Sequence, residues 1–304
     1  MSNLKLLSKK RKDRLSQQLP IYCLFAPFAI LFFVFTLLPI LSSVVLSFFF
    51  YDTINPPKFV GLDNYIQMFL GDDIFPSALK NTILFAIVTG PFGFILSFLL
   101  AWIINEFGKP LRTALSFLFY APALTGSVYY IWQVIFSGDS FGYLNNLLIS
   151  MGLIIEPIQW LKDTNYVFTV IAIVQLWMCF GTSFLANIAG LQNVNPELYE
   201  AGAIDGIRTR WHELWYITIP SMKNIMLFGA VMQIQAAFSI SAVPVALAGF
   251  PSVDYSVDTI VTLLSDISST RHEMGYAAAI SVVLFVLMYV TKALMSKLIN
   301  LSSR

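Results

Sequence analysis

Two His-Glu pairs, His212-Glu213 and His272-Glu273, are the residues of this 304-residue chain whose types best fit hydrolytic metal chemistry. A zinc protease needs a second His one helical turn further on, so that both imidazoles meet one ion. Tyr216 and Tyr276 stand at those positions, so neither pair makes a metal site. Cys23 and Cys179 are too few and too far apart for a disulfide framework or a metal centre, and both read as small buried hydrophobes. No G-x-x-x-x-G-K-[ST] phosphate cradle occurs, so a nucleotide would have to bind another chain. No cofactor, metal or catalytic residue is expected. What remains is a set of neutral hydrogen-bonding side chains inside apolar stretches: Gln175, Thr182, Gln235 and Ser239, with Tyr130, Gln133 and Trp177. No acid or base stands at the centre of those stretches, where a proton relay would keep one.

The elements that must hold these groups are membrane spans. The chain is 57% hydrophobic and 12% charged, against roughly 25% charged in soluble domains. Six windows carry no charge: Leu15–Tyr51, Asn81–Asn105, Thr113–Gly138, Thr164–Pro196, Asn224–Val253 and Met274–Thr291. A spanning helix needs about 20 apolar residues, at a 1.5 Å rise across roughly 30 Å of hydrocarbon. Five windows reach that length, and the sixth does so if Lys292 snorkels to the interface. The runs are continuously apolar rather than alternating, so an all-α, polytopic membrane protein is expected rather than a barrel. The expected spans are 20–50, 82–104, 114–136, 166–190, 224–248 and 276–297. A basic segment, residues 1–19, precedes them, and a tail, residues 299–304, follows the domain 20–298. The basic residues Lys9 to Arg14 precede an apolar run too long for a signal peptide, so the first span is read as uncleaved.

Six crossings put both termini on one side. That side carries 14 of the 18 Lys and Arg, leaving Lys58, Lys80, Lys162 and Arg271 on the other. The positive-inside rule makes the termini cytoplasmic. Outside lie a turn at Asn55-Pro56-Pro57, a loop Ser137–Asn165 with a short interfacial helix expected within Leu144–Ile155, and the polar, acidic loop Gly249–Gly275. The inner loop, residues 192–223, reads differently, as two short helices. Asn195 is an N-cap, Pro196 suits the first helical position, Glu197 and Glu200 complement the helix dipole, and Gly206 stops a helix Pro196–Asp205. A second helix follows from the spacing of Trp211, Leu214, Trp215 and Thr218, with Pro220 marking its end. Ala201 and Gly202 give the first helix a small-residue surface that another protein can approach closely.

Glu200-Ala201-Gly202-Ala203-Ile204-Asp205-Gly206, followed by Ile217-Thr218-Ile219-Pro220, resembles the "EAA" loop of permease subunits in binding-protein-dependent ABC importers. Phe59-Val60-Gly61-Leu62-Asp63-Asn64-Tyr65, Asn81-Thr82, Ala121-Pro122, Ala189-Gly190-Leu191-Gln192 and Gly275-Tyr276-Ala277 resemble, in order, motifs of the sugar-importer branch. Gly202 departs from the usual second Ala, and Ile207 from the usual Ala after Asp-Gly. The resemblance implies a type I ABC importer permease fold. It also implies a docking surface for an ATPase subunit dimer at Glu200, Ala201, Gly202, Asp205 and Gly206. The other partners implied are a second homologous permease, an extracytoplasmic solute-binding protein, a sugar or oligosaccharide and the lipid bilayer; no nucleic acid is implied. On this reading Gln175, Thr182, Gln235, Ser239, Tyr130, Gln133 and Trp177 line the substrate pathway, while interhelical bonding is the other use of such residues. Gln233 and Gln235 lie on nearly opposite faces, so only Gln235 is assigned to the pathway. Pro244 is expected to bend the fifth span. The alternatives are an ion-coupled secondary transporter acting alone, a membrane scaffold, or an importer of a non-sugar solute such as a glycerophosphate.

Overall fold

The structure, a computed structural model, describes residues 22–301. The basic anchor, the start of the first span and the tail from Ser302 lie outside the described residues. Helices are α1 (Tyr22–Leu46), α2 (Ile74–Asn105), α3 (Lys109–Leu124), α4 (Tyr130–Ile135), α5 (Tyr143–Ser150), α6 (Val167–Trp177), α7 (Thr182–Gln192), α8 (Pro196–Ile204), α9 (Ile219–Phe238), α10 (Ala242–Ala248), α11 (Ile260–Ser269) and α12 (Met274–Leu301). Five continuous or nearly continuous stretches among the described residues are long and apolar enough to cross a membrane. The third expected span is present as two pieces, α3 and α4, separated at Thr125–Tyr129 around Gly126.

The described residues form two compact units. In the first, residues 22–65 with His272–Val282, α1 keeps apolar side chains exposed on every face, as a helix in lipid does. It ends at Leu46, short of the expected Phe50, because the chain turns into a two-residue strand, Phe49–Phe50, paired antiparallel with Lys58–Phe59. The Gly61–Tyr65 motif pins this turn. The buried Asn64 amide donates to Ser47 O at 2.8 Å and Phe49 O at 3.0 Å, and Tyr65 Oη donates to Ser47 Oγ at 2.8 Å. Gly61 holds a left-handed φ of 62° that glycine adopts without strain. Gly275 donates its N–H to Tyr51 O at 3.1 Å, and a Cβ on it would overlap the Phe49 carbonyl.

In the second unit, Ile66–Arg271 with Val283 onward, α2, α7 and α9 pack against one another through their glycines. A Cβ on Gly93 would come within 2.5 Å of Gln233 Nε2, and one on Gly190 within 2.7 Å of Met222 Cε. Small residues at these points let the helix backbones approach, which supplies the dispersion contact that holds helices together in lipid. Asn81 and Thr82 tie the start of the charge-free part of α2 to the segment before α11. Asn81 Nδ2 donates to Tyr255 O and Asp258 O at 2.8 and 3.0 Å, and Thr82 Oγ1 accepts from Ile260 N at 2.8 Å. Asp258 is buried there, and burial pushes its carboxyl above the ordinary range while the Ser252 N–H pulls the other way. The loop between α4 and α6 folds around buried Asn145, whose amide bonds Ser137 O, Asp139 O, Ile158 O and the Ile158 and Trp160 N–H groups. The short helix expected within Leu144–Ile155 is α5.

Two prolines act differently from their sequence reading. Pro220 does not end a helix. A helical turn, Arg210–Glu213, passes through a widened turn, Leu214–Thr218, directly into α9, and Pro220 stands at its second residue. The wide turn just before it gives the proline ring room against the preceding turn, so the helix continues past it. Pro244 does not bend the fifth span either. The break comes earlier, at Ser239–Ser241, and Pro244 sits in the first turn of α10, where its N–H would be unpaired in any case.

Gly275→Val is expected to destabilise the first unit by about 1–3 kcal/mol, because the branched side chain meets fixed backbone. Thermal unfolding of the purified protein in detergent checks this, and an unchanged melting temperature would refute it.

Candidate functional site

Two places concentrate the residues singled out in sequence. The first is α8, whose start is built as its sequence dictates. Asn195 Oδ1 accepts from Glu197 N at 3.1 Å, Pro196 occupies the first turn, and Gly206 takes the left-handed φ of 93° just past the end. The helix ends at Ile204, with Asp205 as its cap. Glu200, Ala201, Asp205 and Gly206 are exposed. Gly202 is not part of that surface. It is buried against the wide turn below α9, where a Cβ would lie 2.6 Å from Ile217 Cδ1. One residue apart on a helix means about 100° of rotation, so Ala201 and Gly202 cannot share the small-residue face assigned to both. Tyr199 Oη and Thr218 Oγ1, 2.9 Å apart, add a hydrogen bond between α8 and the same turn. Arg210 joins the helical turn Arg210–Glu213 to the end of α2 by an ion pair to Glu106 at 3.1 Å, and pairs within its own turn with Glu213 at 2.6 Å. Its side chain is 63% exposed, so these pairs orient the loop and add little stability.

The second place is a cleft of about 290 Å³ beside Thr89, halfway along α2. It gathers Gln175, Thr182, Gln235 and Ser239. Ser183, Gln233 and the backbone near Cys179 complete its walls, and no carboxylate, ammonium or guanidinium lines it. The cleft lies where two spans are interrupted, between α6 and α7 at Met178–Gly181 and between α9 and α10 at Ser239–Ser241. Broken backbone at membrane depth survives only if its polar groups find partners. Ser97 Oγ donates to Cys179 O at 3.3 Å, and Thr259 Oγ1 donates to Ile240 O at 2.6 Å. Gln233 is buried and donates Nε2 to Thr89 O at 3.3 Å, tying α9 to α2. Gln235, two residues on, is exposed and lines the same cleft, so both glutamines border it rather than Gln235 alone.

Three residues assigned with these four are elsewhere. Gln133 lines a separate cleft with Asp139 and Lys162. Tyr130 packs its ring on Tyr129 at 5.1 Å, and Trp177 meets Trp132 edge-on at 5.5 Å. Tyr130 and Gln133 lie on α4, beyond the break at Thr125–Tyr129, and Trp177 ends α6 where it meets α4. The sequence reading missed Ser183, Gln233 and Thr89 as wall residues. It also missed both interruptions, whose only local signal is Gly181. A larger groove of about 530 Å³ between α2, α9 and α12 is almost wholly apolar, and the hydroxyl of Thr291 on its wall donates to Leu287 O.

The capped loop helix and the neutral cleft at a double helix break stand in a chain whose relatives are permease subunits rather than enzymes. The family described as binding-protein-dependent transport system inner membrane component matches residues 93–300. The probable ABC transporter permease protein YesP of Bacillus subtilis (strain 168) is 34% identical over 75% of this chain and 72% of its own. The lactose transport system permease protein LacF of Rhizobium radiobacter is 33% identical over 68% of each chain. The arabinooligosaccharides transport system permease protein AraP of Bacillus subtilis (strain 168) is 31% identical over 91% of this chain and 87% of its own. A bacterial ABC transporter involved in the import of the acidic polysaccharide alginate shares the fold, with a TM-score of 0.78 at 22% identity, covering 97% of this chain and 100% of that one. The chain belongs to the family of binding-protein-dependent ABC transport permeases, multi-pass components of the cytoplasmic membrane.

Gly202→Leu is expected to push α8 off the wide turn and cost about 1–3 kcal/mol. Ile217→Ala in the same chain should restore most of the loss by making room. Melting temperatures of the two single variants and the double variant measure this, and strictly additive losses would contradict the packing.

Proposed function

We propose that this chain is the permease subunit of an ATP-driven importer of a sugar or oligosaccharide. The observation that carries the reading is the neutral, hydrogen-bonding cleft at the double helix break, which suits a polyhydroxylated, uncharged solute. Hydroxyl groups need paired donors and acceptors when they leave water, and amides and hydroxyls offer both. Relatives named for lactose, arabinooligosaccharides and sulfoquinovosyl glycerol transport support the same class of cargo. Both termini and the loop 192–223 are cytoplasmic on this reading, by the distribution of Lys and Arg. Two ATPase subunits bind beneath a pair of permeases, this chain and a second related one. Each ATPase grips a loop helix; here that is α8, through Glu200, Ala201, Asp205 and Gly206, with Gly202 supporting from behind. A solute-binding protein delivers cargo at the opposite face. Closure of the ATPases moves α8, and with it the foot of α9, which alternates access to the cleft. Gln175, Thr182, Gln235 and Ser239 hold the solute on its way.

A mild-detergent pull-down is expected to recover an ATPase and a related permease. A chain that purifies alone and still drives uptake into liposomes without ATP would sink the reading. Glu200→Arg or Asp205→Arg should lower uptake at least tenfold with membrane insertion intact, read as transport against ATP hydrolysis in proteoliposomes. Gln175→Ala and Gln235→Ala should each weaken apparent affinity about 2–10-fold, the worth of one neutral hydrogen bond. Unchanged uptake kinetics in both would remove the cleft from the pathway.

A further inference from the structure

Asn187 of α7 is fully buried, and neither its amide nitrogen nor its amide oxygen has a hydrogen-bond partner. Ser183, one helical turn earlier on the same face, is 3% exposed and its hydroxyl is also unpartnered. Hydroxyls on membrane helices ordinarily bond the carbonyl four residues back, as Thr82 and Thr89 do at 2.8 Å. For Ser183 that carbonyl belongs to Cys179 in the helix break, and Ser97 Oγ already donates to it. Buried polar groups without partners are rare and costly, and a leucine at 187 would avoid the cost. Neither residue bonds a neighbouring helix, so interhelical bonding does not account for them.

What covers the pair is Gly229 of α9. A Cβ there would lie 3.1 Å from Ser183 Oγ and 3.6 Å from Asn187 Oδ1. Ser183 also forms part of the cleft wall, and Asn187 stands one turn, about 6 Å, beyond it in the direction of α8. Any separation of α9 from α7 at Gly229 therefore uncovers both groups as a continuation of the cleft.

We propose that Ser183 and Asn187 form a second polar subsite, closed in this structure, that opens when α9 moves off α7 and takes hydroxyl groups of the solute leaving the Gln175–Gln235 cleft. The amide supplies a donor and an acceptor on one side chain, which matches the dual character of a hydroxyl. This rests on the reading of the cleft as the transport path.

The test uses the whole transporter, with its ATPase and binding protein, in proteoliposomes. Asn187→Cys and Thr182→Cys are made separately and exposed to a small methanethiosulfonate, once without nucleotide and once held with ATP and vanadate. Peptide mass spectrometry locates the label, with native Cys23 and Cys179 as internal references. Cys at 187 is expected to react at least tenfold faster in one state than in the other, and Cys at 182 reports on the cleft. Protection of position 187 in both states while 182 reacts overturns the subsite and leaves the cleft standing. If neither position reacts in either state, the cleft reading fails and the subsite with it. Asn187→Leu supplies a second readout. Uptake should fall at least tenfold while the melting temperature holds or rises, because no bond is lost. A melting temperature lowered by more than about 5 °C would mean that the amide is held in the resting state, and normal uptake would mean that it is not used; either result overturns the proposal.

Discussion

The close approach of α2, α7 and α9 at Gly93, Gly190 and Gly229 is the constraint on which the rest depends. In lipid no hydrophobic gain separates one helix arrangement from another, so dispersion at short range and a few hydrogen bonds decide. Each glycine faces a side chain that a methyl group would displace: Gln233 for Gly93, Met222 for Gly190, and Ser183 with Phe94 for Gly229. With that spacing fixed, Gln233 reaches Thr89 across the junction and borders the cleft as a buried wall, while Gln235 borders it as an exposed one.

The cleft follows from a second requirement. Helices interrupted at membrane depth leave carbonyls and N–H groups that water cannot serve. Here neighbouring elements serve them: Ser97 of α2 at Cys179, and Thr259, just before α11, at Ile240. Because the partners come from elements already locked to α2, the interruptions are held open as a wall of backbone and short polar side chains. The Asn81 and Thr82 bonds to the 255–260 segment belong to the same system, since they fix the segment that carries Thr259.

Local chemistry made some of this legible in the sequence. The Asn195 cap, Pro196 and Gly206 determine α8 nearly residue by residue, because a cap, a first-turn proline and a left-handed glycine each act within a few positions. The ordered motifs were read as resemblance only. The structure gives them mechanical reasons: Asn64 and Tyr65 close the end of α1, and Gly275 lets α12 press on the strand after it. What periodicity did not disclose depended on distant partners. Nothing local marks Ser239–Ser241 as a break, since its stabilising bond comes from Thr259. Pro220 carries a stop signal that the widened turn cancels. Gly202 read as a surface residue because its neighbour, Ile217, is distant in sequence. The separation of α3 from α4 had one local marker, Gly126; Tyr130 and Gln133 lie beyond it on α4 and do not line the cleft, nor does Trp177 at the end of α6.

The widened turn at Leu214–Thr218 leaves the helix uninterrupted from Arg210 to Phe238. Its foot is clasped by α8, and its far end presents Gln235 to the cleft. Gly229 lies along this rod, where α7 packs on it. About 15 Å of helix lies between Ile219 and Gly229, and about 9 Å between Gly229 and Gln235. No break falls between them, so the foot and the cleft wall belong to one stiff body, with no hinge on the way to absorb a displacement of the loop before it reaches Gln235.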